Sequence, residues 1–319
     1  MKKALVTGGT GFVGANLARR LVAMGHDVHL LARPHHRAWR LAGLEDRVRL
    51  HEADLGDTPA VAALAREVSA EWIFHLAAHG AYSFETDVHE IARTNVIGTV
   101  NLLEAVRAVG FEAFVNAGSS SEYGFQDHPP TEDERPEPHT DYAATKLAAT
   151  QFCRQVARRD RLGVVTLRLY SVYGPYEDPR RLLPMLIDKA LAGTLPPFVS
   201  PTVARDFVYV DDVCDAFLLA AGSPRLDPGE IYNVGTGVQT TVREVVETAR
   251  RLLHVSEEPR WGSMPNRSWD TECWVADSRK IRAALGWRPR YTFEEGFSRM
   301  VNWTRGRSSN KEIAPRAAG

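Results

Sequence analysis

The sequence predicts an α/β fold, a doubly wound parallel sheet with a smaller C-terminal α/β lobe. Apolar strand-like segments alternate with helix-like segments through the first half of the chain, which is typical of parallel strands joined by helical crossovers. The alternation degrades after about Tyr173, and six prolines punctuate residues 174–201. We therefore expect a main domain over residues 1–174, rejoined by about 203–236, and a lobe over residues 175–319.

The strands are expected where short runs of β-branched and other apolar residues occur. In chain order these runs are Ala4–Val6, Val28–Leu31, Val48–Leu50, Trp72–Leu76, Ala113–Asn116, Val164–Leu169 and Ile231–Val234. The helices are expected where apolar residues recur every three to four positions. These segments are Asn16–Met24, Pro59–Val68, Val96–Val109, Asp141–Arg158, Leu182–Leu191, Asp211–Ala221, Val242–Leu253 and Phe293–Trp303. Gly110 is the expected C-cap after Val109, and the polar residues from about Arg305 are expected to fray.

Bulk composition is that of an ordinary globular protein. The 319 residues carry a net charge of −1, which gives no electrostatic reason to expect a nucleic-acid or anionic-membrane partner. The three cysteines are far apart and form no metal-ligand cluster, so no metal site is expected, and a reducing compartment is favoured. No stretch reaches membrane-spanning length, and the apolar run after Lys3 is too short for a signal peptide. We expect a cytoplasmic protein.

A glycine-rich turn lies between the first strand and its helix. Gly8, Gly11 and Gly14 permit a tight turn, close approach of the backbone to a pyrophosphate, and close helix–strand packing. Phe12 and Val13, in the same turn, are further candidate cofactor contacts, and the N-terminal N–H groups of the helix that follows favour an anion. This predicts a Rossmann-type dinucleotide site.

The end of the second strand bears on the choice of dinucleotide. NAD sites commonly place a carboxylate here, whereas this chain offers Arg33 and then Arg37, which would pair with a ribose 2′-phosphate. NADP(H) is therefore favoured, with NAD(H) as the alternative. The residues after the third and fourth strands fall where adenine and nicotinamide-ribose contacts would be made. They are Asp54, Leu55, Leu76, Ala77 and Ala78.

Tyr142 and Lys146 lie four residues apart and so share one helix face. A neighbouring ammonium stabilises a phenolate, which would make the tyrosine a usable acid–base. Ser119 ends the fifth strand, on the edge of the sheet where a ligand crevice forms. The four-residue spacing of Tyr142 and Lys146 could arise by chance, but together with the upstream glycines and Ser119 it indicates a redox site.

Together these motifs resemble the extended short-chain dehydrogenase/reductase family of nucleotide-sugar epimerases, dehydratases and reductases. The resemblance spans nearly the whole chain, from TGGTGFVG at its start through HLAA, NVIGT, GSSSEYG, YAATK and RDFVYVDD to NRSWD and LGWRP. It implies that Tyr142 is the general acid–base, that Lys146 binds the nicotinamide ribose and lowers the tyrosine pKa, and that Ser119 binds the carbonyl oxygen. It implies Arg205 at the substrate diphosphate, with Arg267 and Asp270 at its phosphate and ribose.

Further site candidates follow from the same motifs. For the cofactor they include Asn95, Tyr142, Lys146 and Tyr170. For the substrate they include His79, Ser120, Ser121, Glu122 and Ser171, and Trp269 is a candidate contact to the base or sugar. The family usually dimerises through two helices, here Val96–Val109 and Tyr142–Arg158, so a homodimer is expected.

Two departures narrow the activity. Ser121 stands where 4,6-dehydratases carry an acidic residue, and Ser171 stands where the family commonly has asparagine. The leading hypothesis is NADPH-dependent reduction of a nucleoside-diphosphate 4-keto(-6-deoxy) sugar. The alternative is an NAD-dependent nucleotide-sugar 4-epimerase, and a dinucleotide-sensing protein without activity is a third hypothesis.

Overall fold

A computed structural model describes residues 1–223, 227–267 and 270–309 of the chain. Its strands within these ranges are β1 Lys3–Thr7, β2 Asp27–Ala32, β3 Arg49–Glu52, β4 Trp72–His75, β5 Ala113–Ser119, β6 Val164–Leu169, β7 Ser171–Tyr173, β8 Ala204–Arg205, β9 Phe207–Tyr209, β10 Ile231–Val234 and β11 Thr240–Thr241. Its α-helices are α1 Phe12–Ala23, α2 Thr58–Val68, α3 Val88–Ala92, α4 Gly98–Val109, α5 Asp141–Asp160, α6 Leu182–Leu191, α7 Val210–Gly222, α8 Val242–Leu253, α9 Arg279–Leu285 and α10 Phe293–Ser309.

The centre of the molecule is a parallel sheet in the order β3-β2-β1-β4-β5-β6-β10. This confirms the predicted doubly wound α/β class. The chain leaves β1 towards β2 and β3, then crosses back to β4 on the other side of β1. Such a reversal opens a crevice at the carboxyl ends of the central strands. Thr7, His75 and Ser119 end three adjacent strands there.

Helices cover both faces of the sheet because both faces are apolar. On one face Leu17 of α1 and Phe217 of α7 are fully buried against the strands. On the other, Leu64 of α2, Leu102 of α4 and Val156 of α5 close the second core. The sheet is thus held rigidly between two helical layers, which fixes the strand ends that form the crevice.

A third apolar cluster builds the C-terminal lobe from α6, α8 and α10. Leu186, Val245 and Phe297 are fully buried at its centre. Two short strand pairs, β7 with β9 and β8 with β11, join this lobe to the sheet, and β10 then returns to pair with β6. The lobe therefore stands over the same end of the sheet as the glycine-rich turn.

Several elements differ from the sequence expectations. The helix expected from Val96 is preceded by α3 and by a π-helical turn over Arg93–Ile97, and α4 itself begins at Gly98 and ends at the expected cap, Gly110. Helix α9 was not expected, and α10 continues through Ser309 rather than fraying from about Arg305. Tertiary packing extends these helices beyond what their local periodicity indicates.

Within the described ranges, no helix combines the length and apolar character needed to cross a bilayer. The outer surface of α5 exposes the small residue Ala148 and the polar Gln151. The homodimer expected through α4 and α5 remains a prediction.

Candidate active site

The glycine-rich turn fits a dinucleotide pyrophosphate by its backbone geometry. Gly8 has φ +69°, and a Cβ there would lie 2.7 Å from the backbone of Leu76 and Ala77. A Cβ on Gly14 would lie 2.2 Å from the Gly8 carbonyl oxygen. Gly11 is the N-cap of α1 and provides no side-chain cap, so the first N–H groups of the helix are available to phosphate oxygens. Phe12 and Val13 form the first helical residues behind this turn.

The tip of β2 carries both basic and acidic groups. The Arg33 Nη1 lies 3.2 Å from a carboxylate oxygen of Glu90, and this guanidinium is 57% exposed. His36 lies 3.5 Å from a carboxylate oxygen of Glu52, and Arg37 is exposed. The positive charge expected to select a 2′-phosphate is therefore partly offset by neighbouring carboxylates.

The segments after β3 and β4 line the crevice from the other side. Asp54 accepts a hydrogen bond from the Gly56 N–H at 2.7 Å and lies 3.2 Å from Arg93. Leu55 is buried beside Gly98. The Ala77 N–H donates to the Thr7 hydroxyl, so the turn after β4 is bonded directly to the end of β1. The expected contacts Leu76, Ala77 and Ala78 thus lie beside the glycine-rich turn.

A buried hydrogen-bond chain links this crevice to the π-helical turn. Thr99 donates to the Asn95 carbonyl at 2.6 Å, so its oxygen accepts the Nε2–H of His75 at 2.8 Å. The Thr7 hydroxyl then donates to His75 Nδ1 at 2.7 Å. These bonds fix the neutral imidazole as the Nε2–H tautomer.

Asn95 is bonded on all sides by protein. Its amide oxygen accepts from the His79 N–H at 2.8 Å, and its amide nitrogen donates to the His79 carbonyl and to Thr145 on α5, both at 2.9 Å. Its side chain therefore ties the loop after β4 to α5, which accounts for its hydrogen-bonding capacity without the expected cofactor contact. The His79 ring lies 3.4 Å from Glu85.

The burial of His75 predicts a specific acid sensitivity. Burial, aided by the Lys146 charge, lowers the His75 pKa to about 3, whereas an unfolded histidine titrates near pH ~6.5. Between these values the unfolded chain binds the extra proton, so stability falls as the pH drops below about 6.5. From this group alone we expect the free energy of unfolding to be about 2 kcal/mol smaller at about pH 5 than at neutral pH. Denaturant unfolding of wild type and His75→Gln at both pH values measures it; equal pH dependence in the two proteins would contradict it.

Ser119, Tyr142 and Lys146 converge at the carboxyl end of β5. Ser119 ends β5 near the Tyr142 phenol and acts to lower the pKa of that phenol, and Lys146 lies one turn further along α5, 3% exposed. Thr140 caps α5 by accepting from the Ala143 N–H at 3.1 Å, which fixes the first turn that carries Tyr142. The three residues named from the sequence are thus brought into one group, in which Ser119 and Lys146 are buried and Tyr142 is partly buried.

The pKa values of this group are set mainly by burial. Burial raises the Tyr142 pKa to about 12, and the neighbouring Ser119 acts in the opposite direction. Burial lowers the Lys146 pKa, opposed by the negative charge of Glu122. The expected lowering of the Tyr142 pKa by Lys146 is not found here, and desolvation sets the direction of the shift. A cation placed beside the phenol would shift it back towards the phenolate.

Glu122, expected at the substrate, lies beneath Ser119 instead. It is fully buried, and its carboxylate accepts from the Ser119 N–H at 2.8 Å and from Arg168 Nε at 2.8 Å. Its neighbours on the same short 3₁₀ turn remain near the crevice. Ser121 bonds back to the Ser119 hydroxyl through its N–H, and Ser120 accepts from the indole N–H of Trp274 at 3.1 Å.

The residues expected to bind the substrate diphosphate lie together on the lobe side of the crevice. Arg205 at the end of β8 lies 2.9 Å from Asp270, and Asp270 accepts from the Arg267 N–H at 2.9 Å. The Arg205 guanidinium stacks 5.3 Å from the Trp274 ring. These residues are far apart in sequence, and the lobe brings them together. Trp269 lies outside the described residues.

Ser171 and Tyr170 occupy the junction between sheet and lobe. The Ser171 N–H donates to the Asp206 carbonyl at 3.0 Å, which pairs β7 with β9. The Tyr170 side chain is buried, and its hydroxyl makes no hydrogen bond with another described residue. The Tyr170 hydroxyl is thus left for a ligand or water.

Two charged residues face Tyr142 without lying in any motif of the sequence. The positive charge of Arg181, the N-cap residue of α6, lowers the pKa of both Tyr142 and Arg205, and the negative charge of Glu85 raises that of Tyr142. The lobe and the loop after β4 bring them to the crevice, so no local pattern could have indicated them. Arg168 did carry a signal, because a charge inside an otherwise apolar strand segment requires a buried partner. Among the described residues, no three His, Cys, Asp or Glu side chains are arranged to hold a metal ion.

Comparison with known proteins agrees with this geometry. A family model described as "NAD dependent epimerase/dehydratase family" matches residues 4–235. The chain belongs to this family. Family membership identifies it as an enzyme and supports a nicotinamide dinucleotide as its cofactor.

Relatives with two different activities match almost the whole chain. A UDP-glucose 4-epimerase from Mycolicibacterium smegmatis is 34% identical over 96% of this chain and 99% of its own length. A dTDP-glucose 4,6-dehydratase from Xanthomonas campestris pv. campestris is 32% identical over 94% of this chain and 92% of its own length. The structure of Thermus thermophilus UDP-glucose 4-epimerase in complex with NAD superposes with a TM-score of 0.85 at 31% identity, covering 95% of this chain and 99% of that one. Family membership alone therefore does not decide between epimerisation and dehydration.

Proposed function

We propose that this protein is an NAD-dependent 4-epimerase of a nucleoside-diphosphate sugar. The observation that carries the proposal is the convergence of Ser119, at the end of β5, with Tyr142 and Lys146, which lie one turn apart on α5. When bound, the dinucleotide would accept a hydride from sugar carbon 4 and return it to the opposite face. Tyr142 takes the proton of the 4-hydroxyl as the hydride leaves and gives it back as the hydride returns, so atoms and charge balance over the cycle.

The neighbouring residues support the two half-reactions. Ser119 donates a hydrogen bond to the sugar oxygen and so holds the keto group against Tyr142. Lys146 contributes a buried positive charge that favours the phenolate. Arg205 and Arg267 would bind the substrate diphosphate, for which a guanidinium is a suitable partner, and Asp270 would bind the ribose.

Epimerisation is favoured over dehydration by the turn that follows β5. Loss of water needs a base for the proton on the neighbouring carbon and an acid for the departing hydroxide. Ser120 and Ser121 offer neutral hydroxyls there, and the one carboxylate of the turn, Glu122, is committed to Arg168. These groups suit a reaction that oxidises and reduces a single carbon.

A second candidate is NADPH-dependent reduction of a 4-keto sugar, favoured by Arg33 after β2. Against it, Arg33 pairs with Glu90, and relatives of known structure bind NAD. A carboxylate next to the 2′-position would repel an added phosphate. NAD is therefore the cofactor that we propose.

The test is product analysis of protein purified without added dinucleotide. We expect it to release bound NAD on denaturation and to interconvert UDP-glucose with its 4-epimer without net consumption of dinucleotide. The same assay with the dTDP, GDP and CDP forms identifies the nucleotide. Stoichiometric oxidation of NADPH by a 4-keto sugar, with no epimer formed, would instead establish the reductase.

A further inference from the structure

The carboxylate of Glu122 occupies a buried position where three elements of the active site meet. One oxygen accepts from the Ser119 N–H at 2.8 Å, on β5, and from the Thr150 hydroxyl at 3.0 Å, on α5. The other accepts from Arg168 Nε at 2.8 Å, on β6. Glu122, Thr150 and Arg168 are at most 1% exposed. Burying a carboxylate is costly unless hydrogen-bond donors compensate for the lost water, and here three donors do so.

The surrounding sequence is adapted to this carboxylate. Gly118 lies opposite Arg168 in the paired strands, and a Cβ there would lie 2.8 Å from the Glu122 oxygen. The Arg168 guanidinium stacks 4.4 Å from the Tyr123 ring, and the Tyr123 hydroxyl donates to Asn233 on β10 at 2.8 Å. The network therefore extends across the sheet edge from β5 to β10.

Thr150 connects the network to the catalytic helix. It lies four residues after Lys146 and eight after Tyr142 on α5, so the three share one helix face. The charged and titratable groups that bear on Tyr142 are Ser119, Glu122, Arg181 and Glu85. Those that bear on Lys146 are Glu122 and Cys153.

We propose that Glu122 is a positioning residue for the reaction: it fixes the Ser119 backbone against α5 and supplies the buried negative charge that faces Tyr142 and Lys146. The inference rests on the proposed function for its role in turnover. Glu122 touches neither substrate nor reacting atoms, so it acts through Ser119, Tyr142 and Lys146. The Glu122 charge raises the pKa of both Tyr142 and Lys146. Removing that charge should therefore lower both pKa values, which can be measured.

The test is the double variant Glu122→Gln/Arg168→Met, which removes both buried charges together and leaves neither unpaired. We expect the acid limb of kcat/KM to move about one pH unit lower, because Tyr142 loses a negative neighbour. We also expect kcat at the optimum to fall about tenfold, because a neutral amide oxygen holds the Ser119 backbone more weakly than the carboxylate does. The matched control is Arg159→Gln/Asp160→Asn, an ion pair near the exposed end of α5, which should leave both quantities unchanged.

A folded double variant with the wild-type kcat and the wild-type acid limb of kcat/KM would overturn the proposal. If the double variant does not fold, Thr150→Val takes its place. It retains both charges, so kcat should fall about threefold while the acid limb stays where it is. An unchanged kcat would overturn the positioning role. A substrate-free readout separates this inference from the proposed function. Tyrosinate absorbance of the NAD-bound protein, taken as the difference from its Tyr142→Phe counterpart, should titrate at lower pH in the double variant even if no nucleotide sugar is turned over.

Discussion

Replacing Tyr142 by phenylalanine is expected to lower kcat for nucleotide-sugar epimerisation by about 10³- to 10⁴-fold. The change removes one oxygen, and with it the group that takes and returns the proton of the 4-hydroxyl. The Ser119 hydroxyl cannot substitute, because an ordinary serine hydroxyl is not ionised at neutral pH and provides no base by itself. Dinucleotide binding should persist, since the glycine-rich turn and the N-terminus of α1 are untouched.

Turnover, bound NAD content and melting temperature, each measured for wild type and Tyr142→Phe, check this expectation. Tyr232→Phe is the matched control, because it makes the same chemical change at a buried tyrosine of β10 away from the crevice. Its kcat should stay within about twofold of wild type. Retention of more than about a tenth of wild-type kcat by Tyr142→Phe would assign the acid–base role elsewhere.

Replacing Arg168 alone by methionine is expected to reduce the free energy of unfolding by about 3–5 kcal/mol. The substitution leaves the Glu122 carboxylate, which is fully buried, without the guanidinium 2.8 Å away. An unpaired charge inside the protein is far costlier than the pair is favourable. The same reasoning predicts that Glu122→Gln alone is also destabilising, because it leaves the Arg168 charge unpaired.

Denaturant unfolding of the two single variants and the double variant forms a mutant cycle that measures this coupling. The double variant should lie closer to wild type than either single variant, because a well-packed neutral pair replaces the ions. Arg159→Gln, which alters an exposed ion pair of α5, should change stability by less than about 1 kcal/mol. Additive single effects in the cycle would contradict a tightly coupled pair.

Particular residues mark how far the sequence predicts the site. Gly8, Gly11, Gly14, Tyr142 and Lys146 could be named because their roles depend on spacing within one turn or one helix. Ser119 could be named because strand ends in a parallel sheet meet at one edge. Glu122 was expected at the substrate because its neighbours in the motif were. On the short 3₁₀ turn that carries it, successive side chains point in different directions, and that of Glu122 is buried away from the crevice.

The cofactor preference shows the same limit. Arg33 by itself indicates a 2′-phosphate, but Glu90, 57 residues further on, lies beside it in the folded chain. A single basic residue at a strand end is therefore a weak criterion until its ion-pair partners are known. Asn95 was likewise expected at the cofactor, whereas its π-helical turn directs the amide to His79 and Thr145.

Sequence patterns alone predict the α/β dinucleotide fold, the glycine-rich turn and the helix that carries Tyr142 and Lys146. Local periodicity and short spacings suffice for that, because backbone geometry alone sets which neighbours share a face. The pairing of Glu122 with Arg168, the contact of Arg205 with Asp270 and the effect of burial on the Tyr142 pKa become visible only in the folded chain. These depend on contacts between residues 46 to 65 positions apart and on exclusion of water, both of which exist only once the sheet and the lobe have packed.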